Sequence, residues 1–164
     1  MTAPFRRPAP KPYRGLLPEA VDLAVIGGGV IGISTALYAA RAGMRVVVLE
    51  KGHVAGEQSS RNWGWIRVQG RDPAEIPIVL EAQELWKALD AEAKGAMGVR
   101  QVGVTYMAKS SDEMAQFADW LTQARPFNVS SQLLDRAGMD KLLGDPRGSW
   151  VGALHTPTDL KAEP

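Results

Sequence analysis

The chain has 164 residues, 45% of them hydrophobic, and a formal net charge of +1; this is the make-up of a globular protein with no excess charge for nucleic acid or another polyanion. It contains no cysteine and only two histidines, His53 and His155, which excludes disulfides, iron–sulfur clusters, thiolate zinc sites, a cysteinyl link to a cofactor and a multi-histidine metal centre. No apolar run approaches the roughly 20 residues that cross a bilayer, and Pro8 and Pro10 stand where a signal peptide would place its apolar core, so a cytoplasmic location is expected.

Residues 1–20 hold five of the eleven prolines and four basic residues, and are expected to form an extended or disordered leader, with docking on a partner as the alternative. Leu23–Ile26 is short and wholly apolar, as in a parallel strand covered on both faces. Gly27, Gly29 and Gly32 then form G-x-G-x-x-G, with Gly28, Val30 and Ile31 between them. Gly27 permits the tight turn, Gly29 lets a pyrophosphate approach the backbone, and Gly32 lets the next helix pack close to the strand. The N-terminus of that helix offers unpaired N–H groups and a partial positive charge to phosphates.

Ile33, Ala36, Leu37 and Ala40 recur at helical spacing, Gly43 suits a helix end, and Val46–Leu49 predicts a second strand. Glu50, 18 residues after Gly32, stands where a carboxylate accepts hydrogen bonds from the two ribose hydroxyls of an adenosine. An acid there disfavours a ribose 2′-phosphate. A βαβ unit that binds no nucleotide is the alternative, against which strand, turn, helix and acid all agree.

Lys51 to Gln69 is polar and punctuated by glycine, so it predicts a loop leaving the C-terminal edge of the second strand, where ligands bind in open α/β sheets. Ser59, Ser60, Arg61 and Asn62 supply hydrogen-bonding groups, and Trp63 and Trp65 supply flat apolar walls; tryptophans that merely plug a nearby core are the alternative.

The fingerprint at 27–50, followed by AGEQSSRNWGWIRVQGRDP and an amphipathic helix, resembles the start of the FAD-dependent D-amino-acid oxidase, glycine oxidase and sarcosine oxidase family, most of all its bacterial amine and amino-acid dehydrogenases. The resemblance implies FAD as cofactor, a small-molecule amine or amino acid as substrate, and oxidation of its C–N bond by hydride transfer to the flavin. It assigns the ADP half to Gly27, Gly28, Gly29, Val30, Ile31, Gly32, Glu50 and Lys51, and the flavin side to Ser59, Ser60, Arg61 and Asn62. Family members with a flavin linked through histidine carry that histidine in this loop. None occurs from Val54 to Leu154, so a dissociable FAD is expected, with His53 the one residue nearby. No catalytic acid or base and no metal ligand can be named.

Beyond the loop, Ile78, Ala82, Leu85, Leu89 and Ala93, with Trp86 beside them, predict the core face of a helix that starts between Asp72 and Pro77. Val99 to Ala108 alternates as a strand. Ser110 and Glu113 have capping-box spacing ahead of a helix through Met114, Phe117, Ala118 and Leu121 to about Ala124. A short strand at Gln132–Leu134, a brief helix capped by Asp135, a turn at Gly144–Pro146 and a strand at Trp150–Leu154 follow. In HTPTDLKAEP, Asp159, Glu163 and Pro164 fit the family's pattern, whereas Leu160 replaces its glycine.

The expected fold is α/β: the N-terminal βαβ of a Rossmann-like FAD-binding domain over residues 21–94, then the start of a mixed α+β substrate domain over 95–164. Two parallel strands do not complete a dinucleotide-binding sheet, so the chain reads as the N-terminal part of a flavoprotein, truncated or partnered by a complementary C-terminal chain. A non-catalytic remnant or partner subunit, and an NAD-dependent dehydrogenase, are the alternatives.

Overall fold

The computed structural model describes residues 15–144 and 147–163. It divides into two compact units, one up to Asn62 and one from Trp63 to Glu163. Most of the predicted leader, the centre of the predicted Gly144–Pro146 turn, and Pro164 lie outside the described residues.

The first unit is the βαβ hairpin expected from the sequence: β1 (Leu23–Ile26), α1 (Val30–Arg41) and β2 (Val46–Leu49). The strands pair in parallel with Leu23 opposite Val46 and Ile26 opposite Leu49. Gly43, at φ +86, carries the chain out of α1. Asp22 clasps Arg45 through backbone and guanidinium bonds of 2.8 Å, fixing the open ends of both strands. Among the described residues, the sheet of this unit has only these strands. Its apolar residues are therefore half-covered, and Ile26 is 89% exposed and Ile31 79%.

The second unit contains β3 (Trp65–Ile66), α2 (Ile76–Glu92), β4 (Arg100–Gln101), β5 (Val104–Ala108), α3 (Ser111–Ala124), β6 (Gln132–Asp135), α4 (Arg136–Leu143), β7 (Gly152–Thr156) and β8 (Leu160–Lys161). These strands form two antiparallel sheets, in the orders β3-β8-β4 and β5-β7-β6. Every residue of β7, the central strand, is buried. Val68, Ile76 and Ala124 form a core cluster, with Val79, Leu80, Trp120, Phe127 and Val129 packed against it. That packing places α2 in the second unit, which begins at Trp63.

The caps follow the sequence closely. Asp72 accepts the Ala74 N–H and opens a short 3₁₀ turn that leads into α2 with Pro77 in its first turn, where its missing N–H costs nothing. Ser110 Oγ accepts the Glu113 N–H at the start of α3, and Asp135 the Gly138 N–H at the start of α4.

Elsewhere tertiary contacts override the pattern. The fully buried residues of α2 are Ile76 and Gln83; of the predicted stripe, Ala82, Trp86, Leu89 and Ala93 are half-buried, whereas Ile78 is 68% and Leu85 40% exposed. Gln83 is inside because its amide donates to Ile66 O at 3.1 Å and to Asp159 Oδ1 at 2.9 Å. The predicted strand from Val99 to Ala108 is broken into β4 and β5, which belong to different sheets. Gly103, at φ +70, makes the break, and Val102 and Gly103 both donate to Asp159 O. The last predicted strand is shifted to β7, and β8 was not anticipated. Trp63 and Trp65 meet edge to face at 5.3 Å, and Trp63 is 80% exposed, so it does not plug the core of its unit.

Candidate functional site

The turn joining β1 to α1 follows from where side chains are impossible. Gly27 sits at φ +104, and its N–H donates to Leu49 O at 2.8 Å, which carries the strand pairing one step past β1. A Cβ at Gly32 would lie 2.0 Å from Gly27 O and 3.3 Å from Val25 Cγ1, so the first turn of α1 rests on the backbone of the glycine turn itself. Gly29 is the extended residue before the helix; a Cβ there would meet only Ser59 Oγ, at 3.1 Å. The backbone is thus approachable at Gly29 and closed at Gly32.

Glu50 closes β2 and turns back on the glycines. Its Oε2 accepts the Gly28 N–H at 2.7 Å and its Oε1 the Gly52 N–H at 2.8 Å. The Gly28 bond, then the Gly52 bond, hold this carboxyl below the usual carboxylate range, so it is anionic at neutral pH. A carboxylate has about four acceptor positions, and two backbone bonds leave others open to hydroxyl donors. Across the turn, Ser59 Oγ accepts the Val30 N–H at 2.8 Å. Its own proton is therefore free to be donated. The N–H groups of Ile31 and Gly32, which a helix cannot satisfy from within, meet no protein acceptor among the described residues.

The remaining candidates are engaged otherwise. Lys51 is exposed and 3.7 Å from the Glu57 carboxylate. Arg61 binds the same carboxylate at 2.7 Å, Ser60 Oγ donates to Glu57 O, and Asn62 Nδ2 donates to Ser59 O. The structure brings together Gly27 to Gly32, Glu50 and Ser59, while Lys51, Ser60, Arg61 and Asn62 build the turn around Glu57 that carries Ser59. Sequence reasoning missed Glu57 and Ala55, whose N–H donates to Gly28 O at 2.9 Å from a left-handed backbone. An alanine at positive φ leaves no mark in a residue pattern.

This arrangement fits the ADP half of a dinucleotide. Unpaired first-turn N–H groups and a hydroxyl proton suit phosphate oxygens, the missing side chain at Gly29 gives them room, and an anionic Glu50 suits ribose hydroxyls.

Residues 22–164 match the DAO family, the FAD dependent oxidoreductases. The chain is 28% identical over 122 residues to the N-methyl-L-tryptophan oxidase of Citrobacter koseri, covering 72% of this chain and 32% of that protein. It is 27% identical over 123 residues to the D-amino-acid oxidase of Bradyrhizobium diazoefficiens, covering 73% and 28%. The L-amino acid deaminase of Proteus myxofaciens, solved with anthranilate, superposes with a TM-score of 0.84 at 25% identity, over 92% of this chain and 35% of that one. The chain thus spans about a third of the length of these relatives. Matched over residues 22–164, the chain belongs to the FAD dependent oxidoreductase family.

Proposed function

We propose that this chain holds the ADP half of FAD between the glycine turn, Glu50 and Ser59, in an oxidoreductase acting on the C–N bond of a small amine or amino acid. The observation that carries the reading is the junction of β1 and α1. There an approachable Gly29, the free N–H groups of Ile31 and Gly32, and a carboxylate held anionic by Gly28 and Gly52 converge. In this reading the N–H groups and the Ser59 hydroxyl bind the pyrophosphate and Glu50 orients the ribose. The turn around Glu57, with Lys51, Ser60, Arg61 and Asn62, keeps Ser59 in place.

Bound FAD supplies the two-electron acceptor for hydride removal from the carbon beside the amine nitrogen. The residues of this chain contribute binding and orientation, and none of them is assigned a proton transfer. The amine or amino-acid class of substrate is supported by the names of the relatives.

The exposed apolar residues of the first unit, Ile26 above all, support a complementary polypeptide that covers the two-stranded sheet in the working enzyme. Calorimetric titration of the purified chain with ADP and with FAD tests the reading. ADP binding that Gly29→Leu abolishes while the circular dichroism spectrum stays intact is the expected result. A folded chain that binds neither ligand sinks it. Equal binding of ADP and NAD, with no preference for FAD, would favour a nicotinamide dehydrogenase.

A further inference from the structure

We propose that Ala55 is a positioning residue for the pyrophosphate: by holding the Gly28 carbonyl, its backbone N–H keeps the Gly29 N–H turned toward the ligand. The inference rests on the ADP-binding reading above and adds to it a residue that acts through the glycine turn.

The backbone groups between β1 and α1 can be followed one by one. Gly27 N–H donates to Leu49 O, and Gly28 N–H to Glu50 Oε2. Val30 N–H donates to Ser59 Oγ, and Gly29 C=O accepts the Ile33 N–H as α1 begins. Gly28 C=O accepts the Ala55 N–H at 2.9 Å. Gly28 is buried between half-buried Gly27 and Gly29, so both of its polar groups need partners from the chain. Glu50 and Ala55 supply them from the two ends of one short segment.

The Gly28–Gly29 peptide is planar and trans, so its C=O and N–H point in opposite directions. Fixing the carbonyl on Ala55 therefore fixes the Gly29 N–H on the far side. Like the N–H groups of Ile31 and Gly32, it meets no acceptor among the described residues. Together they form a set of donors suited to phosphate oxygens. Rotation of that peptide would replace the Gly29 donor with a carbonyl oxygen, which repels an anion. The bond from Ala55 opposes this rotation.

Ala55 reaches Gly28 from φ +59, the left-handed region that alanine seldom enters. Beside it the Gly56 N–H donates to His53 O at 2.9 Å and closes the tight turn that aims the Ala55 N–H back at the glycines. Backbone strain of this kind persists where surrounding bonds hold it, and it gathers at ligand clamps.

An ester in place of the Val54–Ala55 amide, made by placing L-lactate at position 55, removes this N–H and leaves every side chain as it is. Titration of the full chain with ADP and with adenosine, together with the Gly29 amide resonance, tests the proposal. Adenosine keeps the ribose and lacks the phosphates. The expected result is about a tenfold loss of ADP affinity, unchanged adenosine affinity, and a shifted Gly29 resonance in the unliganded variant. Ala55→Gly keeps the N–H and adopts positive φ freely, so it should bind ADP like the parent. Should the ester chain fail to fold, Ala55→Val decides, because a β-branched residue is driven out of the left-handed region; it should show the same selective loss of ADP. Equal loss of both ligands would make Ala55 a structural residue of the loop, and unchanged ADP affinity would remove its bond from the site. Either result overturns the proposal and leaves the ADP reading in place. A parent chain that binds neither ligand overturns that reading and the proposal with it.

Discussion

Asp159 Oδ1 accepts the N–H of Val68, 91 residues earlier in the chain, at 2.7 Å. The same fully buried carboxylate accepts the Gln69 N–H at 3.2 Å and the Gln83 amide at 2.9 Å, and the Asp159 carbonyl accepts from Val102 and Gly103. One residue thus ties the segment after β3, the helix α2, the bend between β4 and β5, and the connection from β7 to β8. Removing it strands several buried donors at once.

Asp159→Ala should therefore destabilise the second unit by roughly 3–5 kcal/mol, the usual cost of breaking a buried charge cluster from one side. Asp159→Asn should lose about 1–3 kcal/mol, because its NH₂ group faces N–H donors. Urea unfolding followed by tryptophan fluorescence measures both. A change below 1 kcal/mol in the alanine variant would remove Asp159 from the network that holds the unit together.

The same carboxyl gives a pH dependence whose sign can be stated. Burial pushes it above the ordinary value of 3.8, against the opposing bonds from Val68, Gln69 and Gln83 and the nearby Arg67 charge. The folded state therefore holds this proton more tightly than the unfolded chain. Its contribution to stability is fully present below 3.8 and is lost as the pH rises through the folded-state value. Stability measured across acid to neutral pH should show this downward slope, and Asp159→Asn should remove it.

Glu50 runs the other way, since its bonds from Gly28 and Gly52 hold its carboxyl below the ordinary 4.5. Stabilisation of the glycine turn is present above 4.5 and is lost as the pH falls through the folded-state value. Glu50→Gln should weaken ADP binding about tenfold, because the ribose hydroxyls lose a charged acceptor. Titration with ADP at neutral pH checks this, and unchanged affinity would place the ribose elsewhere.

Two glycines separate folding from binding. Gly32→Ala drives a Cβ to 2.0 Å from Gly27 O, so the helix must move off the turn and the first unit should lose its cooperative unfolding transition. In Gly29→Ala the new methyl meets only Ser59 Oγ, at 3.1 Å, which a shift of a few tenths of an ångström relieves. That variant should fold like the parent and bind ADP more weakly. Thermal scans and titration of the pair distinguish the roles, and equal thermal losses would refute the distinction.

Ser59→Ala should leave the fold of the first unit in place but free the Val30 N–H and remove a phosphate donor. Loss of a helix-capping oxygen costs about 1 kcal/mol. The expected outcome is a small fall in melting temperature with a larger fall in ADP affinity. A drop in stability alone would make Ser59 a cap and nothing more.

The sequence by itself determined the local elements and the chemistry that depends on them. The apolar run at Leu23–Ile26, the spacing of Gly27, Gly29 and Gly32, and the acid at Glu50 are constraints between near neighbours, and β1, α1 and β2 fall where they predict. The caps at Ser110 and Asp135 were legible for the same reason, because a capping side chain reaches only three residues along its own chain. Tertiary structure decided whatever depended on a distant partner. Gln83 can be buried on α2 because Asp159, 76 residues later, supplies an acceptor for its amide. The strand through Gly103 breaks because its bend is held by that same residue. Within the loop, Ser59 reaches α1, while Ser60 and Arg61 bond Glu57 and Asn62 bonds the Ser59 carbonyl. Burial and hydrogen-bond partnership are properties of the folded pair, and a residue pattern records only one member of it.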